Sequence, residues 1–313
     1  MRFVVMGAGG IGGFFGAALA QKGEDIWFVG RGKHFEAMQR SGLRVTSTVS
    51  DFTVPPSQIV QDPARIGHAD VVLFCVKSYD TEPAARQLSP LLNQHSLVIS
   101  LQNGVDNVEK ISAILPQCST YGGVAYVSSR ITEPGHVTES GGFQRIVFGR
   151  MLGEASSTAG AVHERLTQAG IKTQLSANIR KELWQKLIFI ASMGSLTALT
   201  RLTHGEIVGN PETRALMFDA MREVQSVALG LGIDVDQVDE IRVLEGLKRF
   251  SDDTRSSMYY DLAAGRPMEV EALNGTVVRM GKRAGVPTPI HRMIYAALLP
   301  YHRKHTASES TRS

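Results

Sequence analysis

The amino-acid sequence predicts an α/β domain with a doubly wound parallel sheet, followed by an all-α domain. Short apolar runs alternate with helical patterns up to about residue 175, which is typical of parallel strands joined by helices. Long helical patterns dominate from Asn178 onward. A chain of 313 residues is also long for a single hydrophobic core. We therefore place the two domains at 1–175 and 176–301, and we expect the polar tail 302–313 to be disordered.

A glycine cluster at residues 7–12 directly follows the first apolar run, Phe3 to Met6, and precedes a small-residue stretch with the pattern of a helix. In a strand–turn–helix unit of the Rossmann type, Gly7 permits the tight turn, Gly9 lets the backbone approach a pyrophosphate, and Gly12 allows close packing of helix on strand. The phosphates lie on the N-terminal end of that helix. A glycine-rich turn without a ligand is the alternative, and the strand before it and the helix after it argue against that alternative. The predicted cofactor-binding residues of the cluster are Gly7, Gly9, Gly10, Ile11 and Gly12.

The second predicted strand, Asp25 to Val29, is followed by Arg31, where a cofactor with a free ribose 2′-hydroxyl calls for an acidic residue. A guanidinium group presents a planar fork of donors that suits a 2′-phosphate. The alternative is a solvated surface arginine. We expect Arg31 to bind the 2′-phosphate, so the predicted cofactor is NADP(H) rather than NAD(H).

The rest of the first domain continues the alternation of strands and helices. The continuous apolar run Ala69 to Val76 is typical of a strand buried on both faces. Three later runs are short and separated by Pro134-Gly135 and Gly141-Gly142, so we expect them to be antiparallel. The predicted strands lie at 69–76, 97–101, 120–127, 136–139 and 144–149, and the predicted helices at 81–92 and 161–169.

The second domain is predicted to be entirely helical. Pro211 and Pro267 each suit the first turn of a helix, while Gly232 and Gly285 suit helix ends. The predicted helices lie at 180–199, 211–231, 235–250, 257–264 and 268–284.

The composition excludes several classes of function. The chain is 43% hydrophobic and 20% charged, with 33 basic and 30 acidic residues spread along it, which gives no electrostatic footprint for nucleic acid or membrane. No apolar stretch is long enough to span a membrane. Cys75 and Cys118 suggest neither a disulfide framework nor a metal site. The first residues lead straight into a strand, leaving no room for a signal peptide, so we expect a cytoplasmic location.

Two polar residues follow predicted strands of the sheet. Lys77 comes directly after Val76, and Asn103 follows Leu101 by two positions. Ligands of doubly wound sheets bind outside the carboxyl ends of the strands, so these side chains are expected to meet the nicotinamide half of the cofactor. Both residues can alternatively act only as caps of the next helix or turn.

Lys186 lies within a largely apolar predicted helix. Its neighbours one and two turns later are Ile190 and Gly194, so the three residues share one face. A lysine with a buried stem shifts its pKa readily and can serve as an acid near neutral pH. A surface lysine that extends its ammonium into solvent fits the same pattern.

Together these residues resemble the ketopantoate reductase (2-dehydropantoate 2-reductase) family, from Met1 to about Tyr301. The motifs occur in the family's order and at family-like spacing, which makes the resemblance specific. They are the glycine cluster with Arg31, Lys77 after its strand, Gln102-Asn103-Gly104, Glu182-Leu183-Trp184-Gln185-Lys186-Leu187, Leu196-Thr197-Ala198, Ser256-Ser257-Met258, and Glu269 ahead of Asn274-Gly275.

The resemblance implies the NADPH-dependent reduction of 2-dehydropantoate to pantoate, a step toward pantothenate. By this similarity Lys186 would be the general acid, and Glu269 would form a hydrogen bond with the substrate hydroxyl. Ser257 would bind the substrate carboxylate, and Asn103 would lie beside nicotinamide and substrate. Lys77 would bind the cofactor and help to close the site.

Three substrate-side positions depart from the family pattern. Well-known members have asparagines where this chain has Ile190, Gly194 and His204. The loss of amide groups from the face of the lysine helix leaves a roomier, more apolar wall, so Ile190 and Gly194 are candidate substrate-binding positions. A hydrogen-bonded site rejects a wrong substrate far better than an apolar pocket does.

Three interpretations remain open at this point. The first is a ketopantoate reductase, and the second is a reductase of a bulkier 2-oxo acid on the same scaffold. The third is a non-catalytic NADP(H) sensor, against which the retention of Lys186, Ser257 and Glu269 argues. We expect a small-molecule 2-oxo acid as partner, no nucleic acid or membrane, and a homodimer formed through the helical domain.

Overall fold

The computed structural model describes residues 1–48, 51–141, 144–151, 153 and 156–310, and the chain forms two compact units. The first unit comprises Met1–Gln102 and Asp106–Ile179, and the second comprises Asn103–Val105 and Arg180–Ser313. The short segment Asn103–Val105 therefore belongs by its contacts to the second unit, although the sequence on both sides of it belongs to the first.

The first unit is built on an eight-stranded sheet with the order β12-β11-β8-β7-β6-β1-β2-β5. All neighbouring strands are parallel except β8 and β11, which are antiparallel. The strands of the unit are β1 (Arg2–Met6), β2 (Asp25–Val29), β3 (Leu43–Thr46), β4 (Asp51–Val54), β5 (Ile59–Val60), β6 (Val71–Phe74), β7 (Leu97–Ser100), β8 (Ser119–Tyr126), β9 (Ser129–Glu133), β10 (His136–Glu139), β11 (Arg145–Gly149) and β12 (Lys172–Leu175). The helices are α1 (Gly10–Gln21), α2 (Gly32–Ser41), α3 (Thr81–Leu88), α4 (Asn107–Ile114) and α5 (Ser157–Gln168).

The large sheet is buried on both faces. In β1, Phe3 and Val5 pack into one hydrophobic cluster, while Val4 and Met6 pack into another. Burial on both faces explains why these strands appear in the sequence as continuous apolar runs rather than alternating ones. The predicted doubly wound parallel sheet is confirmed.

A second sheet of four strands, with the order β4-β3-β10-β9, was not predicted. The expectation that residues 120–149 form only antiparallel strands was wrong in part. β8 pairs in parallel with β7. β10 belongs to the second sheet, where it pairs in parallel with β3. A run of four residues with mixed burial does not specify its partner strand, because pairing depends on contacts distant in sequence.

The described part of the second unit is helical, as predicted. Its helices are α6 (Ile179–Thr200), α7 (His204–Gly209), α8 (Pro211–Gly230), α9 (Glu240–Leu247), α10 (Ser257–Ala263), α11 (Thr276–Ala284) and α12 (Pro289–Ser310), and a π-helical turn covers Glu271–Gly275. None of the helices in the described residues is both long and apolar enough to cross a membrane.

Two predicted helix boundaries were wrong. The helix expected at 235–250 is confined to 240–247, because the Asp239 side chain accepts a hydrogen bond from the backbone N–H of Arg242 and caps the helix there. Pro267 does not open a helix, since the next helical turn begins at Glu271.

The expectation of a disordered tail from His302 was also wrong for the described residues. α12 continues to Ser310, and residues 311–313 lie outside the described part of the chain. His302 is buried, and its Nδ1 accepts a hydrogen bond of 3.2 Å from the backbone N–H of Met268. This buried contact fixes the first residue of the expected tail, His302, within α12.

The contact between α1 and β1 depends on Gly12. A Cβ atom at this position would collide with the carbonyl oxygen of Gly7 and lie 2.7 Å from the Val5 side chain. We predict that Gly12→Ala lowers the free energy of unfolding by about 1–3 kcal/mol, the usual cost of overpacking. Urea denaturation measures this change.

Gly160→Ala in α5 is the matched control. A Cβ atom at Gly160 meets no heavy atom within 4 Å, so this variant should gain up to about 1 kcal/mol from helix propensity. A Gly12→Ala protein as stable as Gly160→Ala would contradict the prediction.

Candidate active site

The glycine loop between β1 and α1 leaves one open position at the start of the helix. Gly7 has a φ of +103°, and a Cβ atom there would lie 2.8 Å from the backbone nitrogen of Val76. At Gly9, the residue that precedes α1, a Cβ atom meets nothing within 4 Å. The first-turn amides of a helix have no partner within the helix, and no acidic side chain lies in the first turn of α1. Open space beside these amides fits an anionic pyrophosphate.

Gly10 and Ile11 have a structural part in the same loop. A Cβ atom at Gly10 would lie 2.5 Å from the carbonyl oxygen of Ser129 at the start of β9, so only glycine lets that strand approach. The Ile11 side chain packs against the hydrophobic cluster of the first unit. Only the backbone amides of these two residues are therefore suited to a cofactor.

His34 on α2, which was not predicted, connects the glycine loop to the turn between β9 and β10 of the second sheet. Its Nδ1 accepts a hydrogen bond of 2.9 Å from the backbone N–H of Gly135, so the proton lies on Nε2, which donates to the carbonyl of Ala8 at 3.0 Å. Burial lowers the pKa of His34, which favours this neutral tautomer. The sequence carries no signal for His34, since its partners are distant in the chain.

Arg31 and Lys77 lie beyond the carboxyl ends of β2 and β6, the two strands that flank β1 in the large sheet. Arg31 precedes α2, and its exposed guanidinium forms a 2.5 Å ion pair with Asp80. Lys77 is half-buried directly before the short turn Ser78–Asp80. Asp80 was also missed by the sequence analysis, because its position after β6 does not reveal that it meets a residue after β2.

Three predicted residues of the second unit form a hydrogen-bonded chain. The Lys186 ammonium on α6 donates to Oδ1 of Asn103 at 2.8 Å, and Nδ2 of Asn103 donates to Oε2 of Glu269 at 3.2 Å. Glu269 is buried. The amide of Asn103 is polarised in one direction by both neighbours, so its orientation is fixed.

Lys186 is partly accessible, yet protein surrounds its ammonium closely enough to disfavour the charge. Burial lowers the pKa of Lys186 to about 8, and the nearby Glu269 carboxylate opposes that shift. An ammonium with this pKa can give up a proton near neutral pH, which a solvated lysine does much less readily.

α10 is tied to the lysine helix by Ser256. Its hydroxyl donates to the carbonyl of Gly194 at 2.7 Å, and the Thr197 hydroxyl donates to Ser256 Oγ at 2.7 Å. Ser257, the first residue of α10, is exposed. The helix that carries Ser257 is thus fastened to the helix of Lys186.

The positions that depart from the family pattern are largely apolar. Ile190 is half-buried, and a Cβ atom at Gly194 would meet only Ser256, at 3.7 Å. His204 is buried edge-on between Phe189 and Phe250, and burial lowers its pKa to about 4. His204 is therefore a neutral member of an aromatic cluster.

Asn274 joins the Glu269 segment to the lysine helix and was not singled out for a role. It lies in the π-helical turn, fully buried, and its Nδ2 donates to the carbonyl of Ala191 at 3.1 Å. His291 Nδ1 accepts from the same nitrogen at 3.0 Å, while His291 Nε2 donates to the carbonyl of Ala220. π-helical turns occur often at functional sites, but the turn is visible only in the structure, and the partners of Asn274 are distant in the sequence.

The structure thus brings together Asn103, Lys186 and Glu269, and it fastens the helix of Ser257 to the same helix at Gly194. Among the described residues, no group of three or more His, Cys, Asp or Glu side chains could hold a metal ion. The arrangement suits proton transfer to a substrate oxygen by an ammonium group.

Comparisons with known proteins identify the family. The description Ketopantoate reductase PanE/ApbA matches residues 3–153, and Ketopantoate reductase PanE/ApbA C terminal matches residues 178–302. A 2-dehydropantoate 2-reductase from Archaeoglobus fulgidus is 32% identical over 294 residues, covering 94% of this chain and 95% of the relative.

Solved structures agree with this finding. A PanE/ApbA family ketopantoate reductase from Ralstonia eutropha has a TM-score of 0.89 at 32% identity, covering 98% of this chain and all of that chain. A D-mandelate dehydrogenase with NADH and anilino(oxo)acetate also has a TM-score of 0.89, covering 98% of this chain and 100% of that one, but it is 21% identical and shows the shared fold alone.

Both family descriptions, in sequence order, span most of the chain, and a relative above 30% identity covers nearly all of it. The chain belongs to the ketopantoate reductase family and is a 2-dehydropantoate 2-reductase-like oxidoreductase.

Proposed function

We propose that this protein catalyses the NADPH-dependent reduction of 2-dehydropantoate to pantoate. The observation that carries the proposal is the hydrogen-bonded chain from Lys186 through Asn103 to Glu269, in which the lysine has a pKa of about 8. Relatives named 2-dehydropantoate 2-reductase support the substrate, and Arg31 supports the 2′-phosphate of the cofactor.

The cofactor has a suitable place in the first unit. The open position at Gly9 and the first-turn amides of α1 would hold its pyrophosphate, and Arg31 and Lys77 would bind it beyond the loop. A reduced nicotinamide supplies the hydride when bound. The fixed His34 tautomer holds the Ala8 carbonyl, so that the loop keeps its shape before binding.

The second unit supplies the acid. A ketone carbon that gains a hydride develops negative charge on its oxygen, and the Lys186 ammonium would stabilise that charge and donate the proton. Glu269 would accept a hydrogen bond from the substrate hydroxyl, and Ser257 would bind the carboxylate. Asn103 would keep the ammonium aligned, because its amide is held at both ends.

A bulkier 2-oxo acid is the second candidate substrate. Ile190 has no hydrogen-bonding side chain, Gly194 leaves room, and His204 packs between two aromatic rings. An apolar pocket discriminates between substrates by only about 10- to 200-fold per methylene. The same fold accommodates anilino(oxo)acetate in D-mandelate dehydrogenase, so acids with an aromatic ring belong in any substrate test. The homodimer and the cytoplasmic location remain parts of this proposal.

Steady-state oxidation of NADPH tests the function. The purified protein is assayed with 2-dehydropantoate, pyruvate, phenylpyruvate and benzoylformate, together with Lys186→Ala. Lys181→Ala is the matched control, because Lys181 lies on the same helix and forms a surface ion pair with Asp236.

The proposal expects the highest kcat/KM for 2-dehydropantoate and a loss of roughly 10²- to 10⁴-fold in kcat for Lys186→Ala alone. A higher kcat/KM for phenylpyruvate or benzoylformate would contradict 2-dehydropantoate as the substrate and support a bulkier 2-oxo acid. No turnover with any of the four acids would contradict the proposed enzymatic activity.

The pH dependence of kcat/KM follows from Lys186. The protonated form is the acid, so activity should be full below a pKa of about 8 and fall as the pH rises through it. Glu269→Gln removes the carboxylate that raises this pKa, so the alkaline limb should move to lower pH.

Glu271→Gln is the control for that measurement, since Glu271 pairs with Arg279 and Tyr295. An alkaline limb that stays in place in Glu269→Gln, or moves equally in Glu271→Gln, would argue against Lys186 as the titrating acid.

Restoring the two asparagines should favour 2-dehydropantoate. The double variant Ile190→Asn, Gly194→Asn adds two amides to the face of α6, and the Cβ at position 194 has room. We predict a rise in kcat/KM for 2-dehydropantoate of about fivefold for each hydrogen bond gained. The double variant Ile190→Leu, Gly194→Ala changes the same positions without amides and should show no rise. Equal rates in two folded double variants would contradict this account of the apolar wall.

A further inference from the structure

Arg31 and Asp80 connect the ends of two strands that lie on opposite sides of β1. Arg31 follows β2 and Asp80 follows β6, and both strands pair with β1. Nη2 of Arg31 lies 2.5 Å from Oδ2 of Asp80. The Arg31 side chain is 69% exposed and the Asp80 side chain 22% exposed, so Arg31 remains accessible to a ligand while one of its amino groups is used.

Asp80 depends on this pairing more than Arg31 does. Burial raises the pKa of Asp80, and the Arg31 charge and hydrogen bond oppose that shift. A largely buried carboxylate loses its compensating charge if the guanidinium turns to another anion. The ion pair with Asp80 therefore opposes any movement of the Arg31 guanidinium toward a second anion.

The two nicotinamide cofactors differ at the group that Arg31 would meet. NADP(H) carries a 2′-phosphate, which needs the guanidinium and would be repelled by a neighbouring carboxylate. NAD(H) carries a neutral 2′-hydroxyl, which is not repelled by a carboxylate and can donate a hydrogen bond to one.

We propose that Asp80 is a specificity-determining residue that lowers the selectivity of this protein for NADP(H) over NAD(H), by competing with the 2′-phosphate for Arg31. This inference rests on the proposed function, since it assumes that Arg31 binds the 2′-phosphate. The inference adds that the preference for NADPH over NADH is smaller than it would be if Arg31 had no carboxylate partner.

Dissociation constants for NADPH and NADH, measured by fluorescence titration without substrate, test the inference. The proteins compared are the wild type, Asp80→Asn, Arg31→Ala and Glu82→Gln. Glu82→Gln makes the same change in charge two residues away, and Glu82 pairs with Arg86 rather than Arg31. Asp80→Ser serves as a second variant, in case the asparagine retains a hydrogen bond to Arg31.

We expect Asp80→Asn and Asp80→Ser to bind NADPH about three- to fivefold more tightly, the upper end of the scale for a partly exposed charge, and the gain to shrink at high salt. NADH binding should change less than twofold, as should both constants in Glu82→Gln. Arg31→Ala should weaken NADPH binding alone.

The two possible failures are distinguishable. Equal shifts for the two cofactors, or none, in Asp80 variants would overturn the inference while Arg31→Ala still supports the proposed cofactor. If Arg31→Ala left NADPH binding unchanged, or the wild type bound neither cofactor, the proposed cofactor site and this inference would fail together.

Discussion

The dehydrated ammonium of Lys186 is the constraint on which the rest of the candidate site depends. A charge surrounded by protein must be paired or hydrogen-bonded, and the Lys186 ammonium donates a hydrogen bond to the amide of Asn103 and lies near the Glu269 carboxylate. Glu269 acts one step away, through the other end of that amide. Burial lowers the pKa of Lys186 and the Glu269 carboxylate opposes that shift, and the resulting pKa of about 8 suits an acid that works near neutral pH.

This chain of contacts requires three separate segments to keep their places. Asn103 lies in the short segment that follows β7, Lys186 lies on α6, and Glu269 precedes the π-helical turn. Asn274 joins that turn to the backbone of α6, and Ser256 joins α10 to the same helix. These hydrogen bonds connect the three segments, so each bond restricts where the other segments can lie. The hydrogen bonds of the helical unit therefore fix the surroundings of the Lys186 ammonium.

In the first unit, glycines occupy the positions where backbone segments approach one another closely, and the proposed cofactor site depends on the space that they leave. Gly7 and Gly12 let α1 pack on the sheet, while Gly9 leaves open space. His34 contacts this loop through the carbonyl of Ala8, yet only Arg31 was singled out from the sequence. Arg31 could be singled out because it directly follows the second strand. His34 could not, because it contacts Gly135, about a hundred residues later.

The same distinction explains what could be predicted. Continuous apolar strands and the glycine cluster carry local patterns, so the doubly wound sheet followed from them. The four-stranded sheet, the Arg31–Asp80 pair and Asn274 depend on contacts between distant segments, which leave no period in the sequence. For Lys186 the helical pattern allowed either a buried acid or a surface lysine. Only its surroundings in the fold favour the first, by lowering its pKa.

The most direct test is an NMR titration of lysine side chains labelled with ¹³C at Cε, assigned with Lys186→Arg and Lys181→Arg. Both lysines lie on α6, but a hydrogen bond to Asp236 raises the pKa of Lys181 while burial lowers that of Lys186 to about 8. The account predicts that Lys186 titrates near pH 8, well below Lys181. A Lys186 midpoint near the ordinary value of about 10.4 would contradict it.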